Sequence, residues 1–143
     1  MRDRLRVLVT TTVSDAHTWN LVLLRLHIEE LGHTVTGLGP CTPVPLVLAT
    51  GIATRPDLIV VSSVNGHGAR DGVRLAEALR SERELAGTPA VIGGKLGIGG
   101  RLSHVEVREL RHAGFHEVFD DGDLDRFTGY LTALASTEDR DAS

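Results

Sequence analysis

Asp15 and His17 stand either side of Ala16, just after an apolar run (Leu5–Thr11) and just before a stretch of helical periodicity. A carboxylate and an imidazole at that spacing can act together on a metal. One ring nitrogen serves as ligand, and the carboxylate takes the N–H of the other, which fixes the tautomer and raises the basicity of the ligating nitrogen. Two further groups fall at the ends of later apolar runs: Ser62-Ser63 with its hydroxyls, and Gly93-Gly94 with a backbone free of side chains. In an open parallel sheet those three segments would line one crevice.

Each group also has a plainer reading. A loop histidine on its own is most often solvated, and the chain has seven histidines. No Cys/His cluster has the spacing of a zinc site. A lone imidazole at His17 therefore needs a metal held mainly by something else, which means a cofactor. Ser62-Ser63 could simply end a strand by bonding local backbone groups. The glycines of Asn65-Gly66-His67-Gly68 suit a turn, or a backbone approached closely by a large ligand. Gly93, Gly94, Gly97, Gly99 and Gly100 form the densest glycine run. A phosphate-binding loop would end in Gly-Lys-Ser/Thr, and Lys95-Leu96 does not. The run is either a flexible loop or a strand end against which a flat or elongated group can lie, with Lys95 solvated or placed near that group.

Other chemistries lack parts. Thr10-Thr11-Thr12 resembles the phosphate loop of flavodoxins only faintly, without its glycine and downstream threonine. A receiver domain of two-component signalling would want an aspartate where Ser62 stands. A Ser/His/Asp hydrolase would want a Gly-x-Ser-x-Gly elbow. Cys41, between Pro40 and Pro43, reads as structural, and Asp120-Asp121-Gly122-Asp123 reads as a turn with a helix N-cap.

The elements that must position these residues follow from the apolar pattern. Strands are expected at Leu5–Thr11, Val35–Leu38, Leu58–Val61, Ala90–Ile92 and Glu117–Phe119. Helices are expected at Trp19–Leu31, Val44–Thr54, Ala69–Leu85, Val105–Ala113 and Leu124–Leu134, with Gly32 and Gly114 as stops. Strict alternation predicts an α/β fold, a flavodoxin-like (Rossmann-like) five-stranded parallel sheet of order 2-1-3-4-5 with helices on both faces. The 143 residues suit one domain, 1–136, followed by a polar flexible tail, 137–143. With 41% apolar but only 3% aromatic residues, the core must be Leu, Val, Ile and Ala. A net charge of −4 argues against a nucleic-acid binder. No apolar run approaches a membrane span, the start carries no signal-peptide pattern, and a single cysteine suits a reducing cytoplasm.

Taken in order, three segments resemble the cobalamin-binding domain family, and most closely the small cobalamin-binding subunits of glutamate (methylaspartate) mutases. They are Ser14-Asp15-Ala16-His17-Thr18-Trp19-Asn20, Val61-Ser62-Ser63-Val64-Asn65-Gly66 and Ile92-Gly93-Gly94-Lys95-Leu96. The family pattern is Asp-x-His-x-x-Gly, then Ser-x-Leu, then Gly-Gly; Asn20 replaces the glycine here and Val64 the leucine. The resemblance implies adenosylcobalamin as cofactor, with His17 binding cobalt in place of the dimethylbenzimidazole base and Asp15 bonding the other ring nitrogen. It implies that the displaced nucleotide tail enters beside Ser62, with room given by Gly93 and Gly94. Ser14, Ala16, Thr18, Ser63, Val64, Asn65, Gly66 and Lys95 would complete the cofactor site. The reaction implied is a radical 1,2-rearrangement of an amino acid, with substrate held by a larger barrel-type catalytic subunit and no catalytic residue supplied by this chain. The alternatives are a corrinoid carrier or cobalamin-sensing module, and, further off, a flavodoxin-like electron carrier. Methyl-carrying corrinoid proteins usually add a helical segment ahead of this domain. The first strand here starts close to Met1, which favours the mutase.

Overall fold

Leu5, Val7, Leu8 and Val9 are all buried, so the first strand has no face left for water. That is the signature of a parallel sheet covered on both sides. A computed structural model of the chain describes residues 4–12, 19–63, 68–94, 103–119 and 124–142. Its elements are β1 (Arg6–Thr11), α1 (Trp19–Glu30), β2 (Thr34–Gly37), α2 (Val44–Thr54), β3 (Leu58–Ser63), α3 (Gly68–Ser81), β4 (Ala90–Gly94), α4 (His104–Ala113), β5 (Glu117–Phe119) and α5 (Leu124–Ala142). The strands form one sheet in the order β2-β1-β3-β4-β5, every pair parallel. This is the doubly wound, flavodoxin-like arrangement that the sequence predicts.

Strand alternation divides the core in two. Leu8, Ile59, Val61, Ile92 and Val118 face one side, where they pack with Val47 of α2, Leu75 and Leu79 of α3 and Leu110 of α4. Val7, Val9, Leu58, Val60, Val91 and Phe119 face the other, against Leu21 and Ile28 of α1 and Phe127 and Leu131 of α5. Two glycines end helices as the sequence predicts. Gly32 (φ 95°) follows α1, and Gly114 (φ 142°) caps α4. The start of α4 is a capping box: the Ser103 side chain accepts from the Glu106 N–H, and the Glu106 carboxylate accepts from the Ser103 N–H.

Four boundaries differ from expectation by two residues or more. α3 stops at Ser81, not Leu85. Residues 82–88 instead coil through short-range bonds such as Leu85 N–H to Glu82 C=O. Leu85 keeps helical spacing because it is still buried, lying beside Gly51 of α2. Its burial, not its backbone, made the pattern. α5 continues past Leu134 to Ala142, so the segment 137–142, expected to be a flexible tail, is helical. No Gly or Pro follows Gly129 to break it. β3 and β4 run two residues further than expected, which puts Ser62-Ser63 and Gly93-Gly94 inside the ladder, not after it. Among the described residues, no helix is long and apolar enough to cross a membrane.

His33 ties the start of β1 to the start of β2. Its Nδ1 accepts the Leu5 N–H at 3.0 Å, and the side chain is buried. Burial, aided by the positive charge of Arg4, lowers its pKa below the ordinary 6.5. A neutral ring is required, since a protonated Nδ1 cannot accept. The depressed value makes the unfolded chain take up the proton first. Stability is therefore full above about pH 6.5 and falls as the pH drops from there towards the folded value. Urea unfolding at about pH 7.5 and about pH 5.5 is expected to show this loss, and His33→Gln is expected to reduce it.

Candidate functional site

Residues paired across a parallel ladder point to the same face. Val9, Val60 and Val91 are paired in this way and form an apolar row beneath α1 and α5. Two residues on, at the carboxyl ends of the strands, the corresponding row is Thr11, Ser62, Gly93 and Phe119. Across β1, β3 and β4 the side chains thus shrink from Val to Thr, Ser and Gly, and hydroxyls replace methyls. Both hydroxyl residues are buried.

The Thr11 hydroxyl is committed to structure. It donates to the Gly39 carbonyl at 3.1 Å and lies 3.4 Å from the Thr42 hydroxyl, which itself bonds the Gly39 carbonyl. That bracket pins the β2–α2 loop against the end of β1. The Ser62 hydroxyl forms no hydrogen bond with another described residue, although only 7% of the residue is exposed. A Cβ added at Gly93 would meet the Cβ and the carbonyl oxygen of Phe119, both at 3.3 Å. Gly94 takes φ 118°, a conformation that side chains resist.

Phe119 closes the row with an aromatic wall. Its ring meets Phe127 edge to face at 5.5 Å and Tyr130 at 6.1 Å, and the Arg126 guanidinium lies 4.7 Å from its centre. Arg126 also donates to the Val118 carbonyl. Burial, then the nearby Glu117 carboxylate, raises the Tyr130 pKa, so its hydroxyl stays protonated. Sequence reasoning missed this wall. The chain has three Phe and one Tyr, and two of the Phe and the Tyr meet here. Their scarcity was the available signal.

Of the predicted site residues, the structure brings Ser62 and Ser63 beside Gly93 and Gly94 on neighbouring strands. Ser14, Asp15, Ala16, His17, Thr18, Val64, Asn65, Gly66 and Lys95 lie outside the described residues. The anchors of the Asp15–His17 segment are described: β1 ends at Thr11 and α1 begins at Trp19. Both are at the carboxyl end of the sheet, where the Thr11–Ser62–Gly93 row lies. Among the described residues, no group of three or more His, Cys, Asp or Glu side chains is gathered to hold a metal ion.

No family model matches the chain. It is, however, 31% identical over 113 residues to the glutamate mutase sigma subunit of Halobacterium salinarum, a match covering 79% of this chain and 74% of that protein. The chain belongs to the glutamate mutase sigma subunit family. The glutamate mutase sigma subunit of Treponema denticola is 26% identical over 122 residues, covering 85% of this chain and 87% of that protein. A second kind of relative is the HTH-type transcriptional repressor CarA of Myxococcus xanthus, 31% identical over 90 residues, which are 62% of this chain but only 30% of the repressor. Solved structures share the fold. A cobalamin-binding protein from Desulfitobacterium hafniense superposes with a TM-score of 0.67 at 19% identity, over 80% of this chain and 52% of that one. A chemotaxis protein of Vibrio cholerae, CheY4, gives 0.69 at 14% identity, over 92% and 98%.

Within this sigma-family chain, Gly93 and Ser62 differ in what they do for stability. Gly93→Val sets a branched side chain against the Phe119 Cβ and carbonyl, and is expected to cost about 1–3 kcal/mol. Ser62→Ala removes a hydroxyl that no described residue bonds, and is expected to change stability by less than about 1 kcal/mol. Urea midpoints at constant m-value check both.

Proposed function

We propose that this chain is the cobalamin-binding subunit of an adenosylcobalamin-dependent carbon-skeleton mutase of the glutamate/methylaspartate type, working on an amino acid with a larger, barrel-type catalytic subunit in the cytoplasm. The observation that carries the reading is the row of small and hydroxyl residues at the carboxyl end of the sheet, in a sigma-family chain whose first-strand loop carries Asp15-Ala16-His17. The residues present suit such a cofactor. Ser62 has a hydroxyl that no other described residue bonds and that can meet a polar group, and Gly93 and Gly94 carry no side chain beside it.

When bound, adenosylcobalamin supplies homolytic cobalt–carbon chemistry, which no side chain of this protein can provide. The work of this chain is to bind and orient. The His17 imidazole would ligate cobalt through one ring nitrogen. The Asp15 carboxylate would accept the N–H of the other, holding the proton there and the ring in one orientation. Ser62 would offer its hydroxyl to the displaced nucleotide tail. Ser14, Ala16, Thr18, Ser63, Val64, Asn65, Gly66 and Lys95 belong to the three segments that would surround the cofactor. Every role assigned to this set is in holding the cofactor, so the chain is expected to be inactive without a larger partner that holds the substrate.

A second reading, a cobalamin-sensing module, is favoured by the match to the CarA repressor. The two readings separate on assay: a mutase subunit supports amino-acid rearrangement when mixed with a larger mutase subunit and adenosylcobalamin, and a sensor does not.

Purified chain titrated with cobalamin is expected to give the spectrum of a base-off, histidine-ligated corrinoid. His17→Gly is expected to lose that spectrum, and Asp15→Asn to weaken binding by about 10–100-fold, the usual effect of losing a carboxylate that orients a ligating histidine. Unchanged cobalamin affinity in His17→Gly would overturn the ligand assignment.

A further inference from the structure

We propose that the groove between the carboxyl-terminal ends of α3 and α4 is a binding site for a small organic anion, at the opposite end of the sheet from the Thr11–Ser62–Gly93 row. The groove has a volume of about 450 Å³ and is bounded by α3, α4, the segment joining α3 to β4 and the segment joining α4 to β5. Every residue that lines it is among those described. Small-molecule sites commonly hold about 300–1,000 Å³. Ala90 begins β4 and belongs to the lining, which fixes the groove at the amino end of the sheet. The inference therefore stands apart from the cofactor reading.

The lining divides by chemistry. Leu79, Leu85, Ala90 and Phe115 are buried and form an apolar floor. Arg80, Arg111, His112 and His116 are exposed and form the rim, and Thr88 adds a hydroxyl. No Asp or Glu is among the lining residues, on a chain whose acidic residues outnumber its Lys and Arg by 19 to 15. Cations gathered without an acid, on an acidic chain, select an anion.

The two guanidinium groups are held in place by the fold itself. Arg80 Nη1 donates to the His112 carbonyl at 2.7 Å. Its stem lies across Gly114, where an added Cβ would meet Arg80 Cδ at 2.5 Å. Arg111 Nη2 donates to the Glu117 carboxylate at 2.9 Å, and Glu117 is shared with Arg126 at 3.7 Å, so its charge is not spent on Arg111 alone. Each contact uses one nitrogen of a fork that carries five N–H donors. The remaining donors suit a carboxylate or a phosphate. His116 Nδ1 accepts the Ala90 N–H at 3.4 Å, and the tautomer that does so carries its proton on Nε2, a further donor. Donors ordered in advance bind more tightly than mobile ones.

Cations in the last turn of a helix also offset its dipole. That role accounts for Arg80, Arg111 and His112 taken singly. It does not account for His116, which belongs to no helix, or for the meeting of all four around one apolar floor. The rim asks for an oxyanion and the floor for a short apolar body. A carboxylic acid or phosphate ester of that kind meets both.

The test uses the full chain at about 150 mM salt, where loose surface attraction is screened. Phenyl phosphate, benzoate, inorganic phosphate and uncharged benzamide are titrated separately while backbone amide resonances are followed. Phenyl phosphate or benzoate is expected to give saturable shifts at residues 86–90 and 111–116, and the tighter of the two assigns the oxyanion. Arg80→Gln and Arg111→Gln are each expected to weaken that binding about tenfold. Arg74→Gln, on α3 but outside the groove, is expected to weaken it less than about twofold. His116→Gln leaves both guanidinium contacts in place and covers the case in which an arginine variant misfolds; it is expected to weaken binding about threefold. Equal binding of benzamide overturns the charge reading. Equal binding of inorganic phosphate reduces the groove to a site for an ion only and overturns the organic ligand. The absence of saturable shifts, shifts confined to the carboxyl end of the sheet, or unchanged affinity in the folded variants overturns the site.

Discussion

A parallel sheet covered on both faces leaves only its ends for chemistry. Everything functional in this chain depends on that constraint. Each strand leads into a helix that must return antiparallel across one face, so the segments that follow β1, β3 and β4 emerge at the same end. The sheet order reverses between β1 and β3. The chain leaving β1 turns to α1 on one face, and the chain leaving β3 turns to α3 on the other. The two connections leave for opposite faces there, the place where open α/β sheets commonly bind ligands.

Side-chain volume falls along the sheet towards that end. Val9, Val60 and Val91 close the sheet against α1 and α5, and Thr11, Ser62 and Gly93 follow them. Burying a valine contributes about 1.5–3 kcal/mol. Placing hydroxyls and a glycine in that row gives up part of this stabilisation at the carboxyl end of the sheet. Functional sites commonly depart from the best-packed choice in this way. The structure limits the loss by using Thr11 to hold the β2–α2 loop and by setting Phe127 and Tyr130 edge to face against Phe119 at the far end of the row.

The strands were legible in the sequence because burial on two faces writes continuous Val, Leu and Ile runs. Gly32 and Gly114 marked helix ends because both take positive φ. The end of α3 was not legible: Leu85 is buried from a turn, and periodicity records burial, not backbone. The end of α5 was missed because polarity was read as fraying, although polar residues without Gly or Pro can continue a helix. For the site, Ser62 and Gly93-Gly94 could be singled out by type and by their place at strand ends. The bracket of Thr11 with Gly39 and Thr42, and the wall of Phe119 with Phe127 and Tyr130, could not. The bracket joins residues 28 and 31 apart in sequence, and the wall depends on how α5 packs back against the end of β5.

The fold by itself does not decide between chemistries. A chemotaxis protein and a cobalamin-binding protein superpose on this sheet about equally well, so architecture says where a site must be and not what it does. The decision comes from residues at the strand ends. A phosphoacceptor needs a carboxylate at the end of β3, and Ser62 offers a hydroxyl in its place. A phosphate loop needs a lysine followed by Ser or Thr after its glycines, and Lys95 is followed by Leu96. What the scaffold presents at that end, among the described residues, is the row of Thr11, Ser62 and Gly93 with Phe119 beside it.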